Sequence, residues 1–174
     1  GLLVDLGTHL VDQALTLFGP AAEVYGEVES VRGGVSDDDA FVAIAHEGGV
    51  HSHLWASSVT ADRGPRLRVL GDEAAFVVDE LDGQEEALAG GERPKDGSWG
   101  AVPRERWGRL VRGDDADPVP SENGAWPRFY EQLSAALEGG EPPPVDPWDA
   151  VATLEVLERA RADLVEIEVY PLLG

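Results

Sequence analysis

Cysteine is absent from the 174 residues, lysine occurs once, and no apolar run is long. Without cysteine the chain has no disulfides, no thiolate nucleophile and no cysteine-based zinc site. No apolar stretch reaches the roughly 20 residues that a membrane-spanning helix needs. Basic residues are few, 13 against 34 acidic ones, and the net charge of -21 argues against nucleic acid and anionic membranes as partners.

Apolar residues make up 43% of the chain and charged residues 27%, as in an ordinary globular protein. The length predicts a single domain over residues 1–174. No basic segment precedes an apolar one, so the stretch shows no secretory signal and a cytoplasmic location is expected. Because the chain opens directly into an apolar helix without a polar cap, we also expect further residues before Gly1.

Residues 1–18 carry the most regular pattern, an amphipathic helix that the following Gly-Pro pair ends. At about 100° per residue, His9 and Asp12 fall within about 40° of Asp5 and form a polar stripe. The predicted apolar half contains Leu3, Val4, Leu6, Leu10, Val11, Ala14, Leu15, Leu17 and Phe18.

Asp5 and His9 are one helical turn apart, so their side chains are neighbours. A carboxylate beside an imidazole fixes its tautomer and raises its pKa, which suits a general base acting on an alcohol. The competing interpretation is a polar helix face that meets water, and the residues alone favour it because such faces are common.

After the first helix the hydrophobic period changes to two, which predicts antiparallel strands joined by glycine turns. Residues 79–124 lack a regular pattern and are predicted to form a long loop. The fold class is therefore α+β, with helices on one face of an open, mainly antiparallel sheet. The predicted strands are 23–31, 40–46, 50–58, 66–70, 75–78 and a last one at 165–172, and the later helices are 126–137 and 146–164.

Three histidines lie in the predicted hairpin, His46, His51 and His53, and a histidine metal site there is sterically allowed. Strand histidines more often pack or face solvent, and no carboxylate completes a ligand set, so no metal is predicted. The double glycines never form a phosphate-binding motif between a strand and a helix. The chain therefore holds no recognisable nucleotide site of its own.

Four stretches in order resemble the C-terminal domain of the Gfo/Idh/MocA oxidoreductases, the relatives of glucose-fructose oxidoreductase and inositol dehydrogenase. The first stretch, GLLVDLGTHLVDQA, opens the chain and is followed by LFGP. The others are LGDEAAF at 70–76, GAWPRFY at 124–130 and PPVDPWDA at 143–150. The loop from DGQEEAL at 82–88 to Pro103 resembles a subgroup that includes NADP-dependent scyllo-inositol dehydrogenases.

The resemblance implies a two-domain enzyme that acts on a secondary alcohol of a sugar or cyclitol by hydride transfer. Its Rossmann domain, which would bind NAD or NADP, is absent from this chain. The chain then corresponds to the dihydrodipicolinate-reductase-like domain that binds substrate and forms homo-oligomers through its open sheet face. The resemblance also implies that no residue of this chain binds the cofactor.

The D-x-x-x-H motif of the family matches Asp5 and His9. His9 is then the expected base, Asp5 orients the substrate or the base, and Asp12 supports substrate binding. The catalytic lysine of the family lies in the Rossmann domain, so we expect this chain alone to be inactive.

Two non-enzymatic functions stay open, a dimerisation module and a small-molecule-binding module without turnover. A glycine-rich nucleotide-binding unit encoded upstream of Gly1 would favour the enzyme over both.

Overall fold

The computed structural model describes residues 1–94 and 99–162. Within them the chain forms four α-helices, seven β-strands and one 3-10 turn. The helices are α1 (Leu2–Phe18), α2 (Gln84–Ala89), α3 (Trp126–Leu137) and α4 (Pro147–Ala162), and the 3-10 turn is Arg104–Arg106. The strands are β1 (Ala21–Glu29), β2 (Asp39–His46), β3 (His51–Ser57), β4 (Leu67–Leu70), β5 (Ala75–Val78), β6 (Gly108–Arg112) and β7 (Asp115–Val119).

The chain divides into two compact units, which are described separately. The first comprises residues 1–61 and the described residues from Val145 onward. Its sheet has the order β1-β2-β3 and is antiparallel throughout. Helix α1 packs against β2, β3 and α4, and α4 packs against β1.

The core of this unit lies between the helices and one face of the sheet. Alternate residues of β2 point into it, because successive strand side chains face opposite sides. The buried cluster contains Leu3, Val11, Ala14, Val24, Ala40, Val42, Ile44, Val156, Leu157 and Ala160. At Gly26 the backbone of β1 meets Ala160 so closely that a Cβ atom there would collide with the Ala160 carbonyl group.

The opposite side of this sheet carries a cluster of aromatic residues, which we call the open face: Tyr25, Phe41, His53 and Trp55. The Phe41 and Trp55 rings lie 4.9 Å apart between centroids, and Trp55 is 66% exposed. A cluster of exposed aromatic side chains of this kind is typical of an interaction surface.

The second unit, Asp62–Pro144, contains an antiparallel sheet of order β4-β5-β6-β7. Two of its strands, a helix and the 3-10 turn fall inside the predicted long loop 79–124, so that prediction was wrong. Strands β6 and β7 form a hairpin over Gly113, whose φ of 58° lies in the left-handed region. The strands of this hairpin are short and contain few apolar residues, so the alternation of apolar and polar residues that indicates a strand is not visible in the sequence.

Three segments of the same region meet at the side chain of Gln84, which is 2% exposed. Its amide nitrogen donates to Asp82 Oδ2 at 2.6 Å. Its Oε1 accepts from Trp99 Nε1 at 2.9 Å and from the backbone N–H of Trp126, the first residue of α3, at 3.1 Å. A buried amide with these partners satisfied fixes how the segments meet.

The α+β class and the antiparallel meander are confirmed, whereas a single sheet of about five strands is replaced by two sheets with seven strands in the described part. The predicted last strand at 165–172 lies outside the described residues. Across residues 1–94 and 99–162, no helix combines the length and apolarity needed to cross a membrane.

Candidate active site

The predicted polar stripe lies on the exposed face of α1. Asp5, His9 and Asp12 are exposed, while the opposite face buries Leu3, Gly7, Val11 and Ala14. Gly7 faces α4, where a Cβ atom would lie 3.5 Å from the Leu157 side chain, an ordinary van der Waals distance. The packing of α1 on the sheet therefore determines where the stripe points.

Three residues of the predicted apolar half are exposed. Val4, Leu6 and Leu17 are 48%, 46% and 55% exposed. These three residues lie at the edges of the apolar half. The sheet and α4 cover only the centre of that half. The polar stripe is consequently flanked on both sides by exposed apolar side chains.

Within the described residues, no hydrogen bond or ion pair engages the side chains of Asp5, His9 or Asp12. The direct Asp5–His9 hydrogen bond that would fix the tautomer is thus not formed here. An accessible imidazole without a partner can take a proton from a hydroxyl brought within hydrogen-bond reach. The roles of the three residues remain predictions.

The N-terminal end of α1 is capped by a residue from the β1–β2 loop, Asp37. Its backbone carbonyl accepts from the N–H of Leu2 at 3.0 Å, and its Oδ2 accepts from the N–H of Leu3 at 2.7 Å. A side chain at Gly1 would collide with the Asp37 carboxylate. The cap that the local sequence lacks therefore comes from 34 residues away, which no local pattern reveals.

The side chain of Asp37 is only 13% exposed. Partial burial alone would raise its pKa, but the hydrogen bonds from backbone N–H groups, that of Leu3 foremost, and the nearby positive charges of the Gly1 amino group and Arg161 outweigh it. The pKa of Asp37 is lowered as a result. The carboxylate is therefore ionised at neutral pH, the form that best accepts the Leu3 bond.

The C-terminal end of α1 is held by His46, which is 3% exposed. Its Nδ1 lies 2.7 Å from the Gly19 carbonyl oxygen and its Nε2 lies 2.8 Å from Ser52 Oγ. Because a carbonyl oxygen only accepts, Nδ1 carries the proton. The Phe18 ring packs against the imidazole at 5.6 Å between centroids.

The three hairpin histidines do not converge on a metal. His46 and Ser52 face the helices, whereas His51 and His53 occupy the alternate positions of β3 that face the other side. Among the described residues, no group of three potential ligands is arranged to hold a metal ion.

Comparison with known proteins identifies the family. Residues 1–164 match the Gfo/Idh/MocA model described as "Oxidoreductase family, C-terminal alpha/beta domain". The chain belongs to this family. Its α1, with Asp5 and His9, lies in the part of the chain that matches this C-terminal domain.

Individual members of the Gfo/Idh/MocA family support the same conclusion. The chain is 33% identical to scyllo-inositol 2-dehydrogenase (NADP(+)) IolW of Bacillus subtilis (strain 168), over 92% of this chain and 46% of that protein. It is 31% identical to the uncharacterized oxidoreductase YdgJ of Escherichia coli (strain K12), over 91% of this chain and 46% of the relative. The structure of YvaA from Bacillus subtilis superposes with a TM-score of 0.85 at 32% identity, over 94% of this chain and 49% of that one. The chain therefore spans about half the length of the relatives that it matches.

Proposed function

We propose that this chain is the substrate-binding and oligomerisation domain of an NAD(P)-dependent oxidoreductase that acts on a secondary alcohol of a sugar or cyclitol. The observation that carries the proposal is the position of His9 and Asp5, exposed and one turn apart on α1, within the residues that match the family. The name of IolW specifies scyllo-inositol and NADP+, so this pair is the first to test.

In the proposed reaction His9 takes the hydroxyl proton while the C–H bond of the same carbon breaks and a carbonyl forms. NAD(P), when bound, supplies the acceptor for the hydride. Asp5, one turn before His9, orients the substrate hydroxyl or the imidazole, and Asp12 on the next turn supports substrate binding.

The cofactor would be held by another part of the protein. The chain offers no glycine-rich phosphate cradle, and its -21 charge does not favour a phosphorylated ligand. The exposed Val4 and Leu6 beside the polar stripe support a surface that the nucleotide-binding half covers in the full-length enzyme. We expect that enzyme to be cytoplasmic.

The open face supports self-association as the second role of the domain. Trp55 and Tyr25 leave 66% and 41% of their surfaces exposed beside Phe41. Tyrosine and tryptophan are enriched where proteins associate. This role is compatible with the enzymatic one.

The test uses the full-length protein with scyllo-inositol and a panel of polyols and aldoses, each with NAD+ and NADP+, followed by nicotinamide absorbance. In the His9→Ala variant kcat/KM should fall by about 100-fold or more, because a positioned base typically contributes that much. Thr16→Ala, an exposed change on the same helix, is the matched control and should stay close to wild type. A His9→Ala rate within a few-fold of wild type would remove His9 from the mechanism.

A further inference from the structure

We propose that Asp37 is a positioning residue for the polar stripe of α1, holding the turn that carries Asp5 in place. The inference rests on the proposed function, because Asp37 would affect the reaction only by positioning Asp5 and His9. It concerns a residue in another segment of the chain, the loop between β1 and β2.

The first turn of α1 depends on Asp37 for its backbone hydrogen bonds. The first N–H groups of a helix have no partner inside the helix, and Gly1 offers no side chain to accept from them. Asp37 supplies two acceptors, one to Leu2 and one to Leu3. The first bond inside the helix, from the N–H of Asp5 to the Gly1 carbonyl, has a length of 3.2 Å and follows directly on this cap.

Asp37 is itself fixed to the sheet through the next residue. Asp38 Oδ1 accepts from the N–H of Val31 at 2.7 Å, and the Asp38 N–H donates to the Glu29 carbonyl at 2.9 Å. The cap is therefore anchored to the end of β1, so the position of the sheet fixes the position of the first turn of α1.

The two ends of α1 are held independently. His46 binds the carbonyl of Gly19 just after the C-terminal end and keeps the last turns against β2 and β3. Loss of the Asp37 cap should therefore loosen the N-terminal turn, with Asp5, more than the rest of the helix. Small displacements of positioning groups are costly, since about 1 Å can reduce the rate by about 100-fold.

The experiment compares three variants of the full-length protein. Asp37→Ala removes the side-chain acceptor, and Asp37→Asn keeps one, because asparagine caps helices about as well as aspartate. Asp39→Ala is the control, since the Asp39 side chain makes no hydrogen bond to a helix N-terminus among the described residues. Amide hydrogen exchange of residues 2–6 is read alongside kcat and KM for scyllo-inositol with NADP+.

In Asp37→Ala we expect amides 2–6 to exchange roughly fivefold faster, with amides near residue 15 little changed. We expect kcat/KM to fall by about tenfold or more. Asp37→Asn should restore both within about threefold, and Asp39→Ala should match wild type. That combination supports a positioning role.

Unchanged exchange in Asp37→Ala would overturn the proposal, whatever the rates. Faster exchange with unchanged kcat/KM would also overturn it, because the cap would then be structural only. A wild-type enzyme inactive on the whole panel would instead defeat the proposed function and, with it, any role of Asp37 in positioning a catalytic face. Asp37→Asn behaving like Asp37→Ala would contradict the hydrogen-bond mechanism.

Discussion

At the residue scale, two side chains at the ends of β2 determine how α1 lies on the sheet: Asp37 just before the strand and His46 as its last residue. Asp37 accepts from the N-terminal N–H groups, and His46 donates to the carbonyl after the C-terminal end. No local sequence pattern predicted these two contacts, because the two residues reach α1 only through the register of the sheet. His46 was weighed as a metal ligand because a histidine pattern alone does not reveal which side of a strand it faces.

Replacing His46 by leucine should lower the free energy of unfolding by about 1–3 kcal/mol, because Gly19 O and Ser52 Oγ would lose their buried partner. His51→Leu is the matched control, since His51 is exposed on the other side of the sheet. Its effect should stay within about 0.5 kcal/mol. Urea unfolding of the full-length protein measures both, and equal effects would contradict the buried role of His46.

The ionisation of Asp37 should make stability depend on pH. Because its pKa is lower in the folded chain than the ordinary 3.8, the ionised carboxylate stabilises the fold above that pH. This contribution is lost as the pH falls through the folded-state pKa. Asp37→Asn keeps the cap and removes the charge, so the wild type should exceed it in free energy of unfolding at pH 7, with a difference that shrinks as the pH falls below 3.8. A difference that grows on acidification would contradict this assignment.

At the element scale, the sequence predicted elements well where the local signals agree. Helix α3 runs over Trp126–Leu137 as predicted, and α4 begins at Pro147 with the Asp146 side chain capping the N–H of Trp148 at 3.0 Å. Strands β6 and β7 were missed. The Gly-Asp pair at 113–114 between two short strands is a hairpin signal, but Pro118 and the exposed, acidic residues of β7 obscured it. Proline is tolerated there because β7 is an edge strand.

The packing of α4 on β1 depends on the absence of a side chain at Gly26. In Gly26→Ala the new Cβ would lie 2.7 Å from the Ala160 Cβ and collide with the Ala160 carbonyl, so backbone must move. Overpacking of this kind should cost about 1–3 kcal/mol. Gly34→Ala is the control, because the nearest atom to its Cβ is 3.8 Å away. Thermal or urea unfolding compares the two variants, and an equally stable Gly26→Ala would show that α4 does not pack this closely.

At the scale of the whole molecule, the described chain leaves two surfaces of α1 and its sheet uncovered. One is the polar stripe with its apolar flanks, and the other is the open face. The two surfaces lie on opposite sides of the first unit, because α1 packs on the sheet face opposite to Trp55. Helix periodicity predicted the polar stripe from the sequence. Periodicity shows which side chains share a face, but it does not show which molecule covers that face.

Self-association through the open face should depend on Trp55. Trp55→Asp places a charge among Phe41, His53 and Tyr25, and burying an unpaired carboxylate in an interface is unfavourable. We therefore expect sedimentation velocity to show a smaller assembly for the full-length Trp55→Asp variant than for wild type. Trp148→Asp is the matched control, because Trp148 is 73% exposed but lies on α4 and should leave the assembly intact. If Trp55→Asp keeps the wild-type mass while remaining folded, the open face is not the contact between copies, because a buried carboxylate at its centre could not be accommodated.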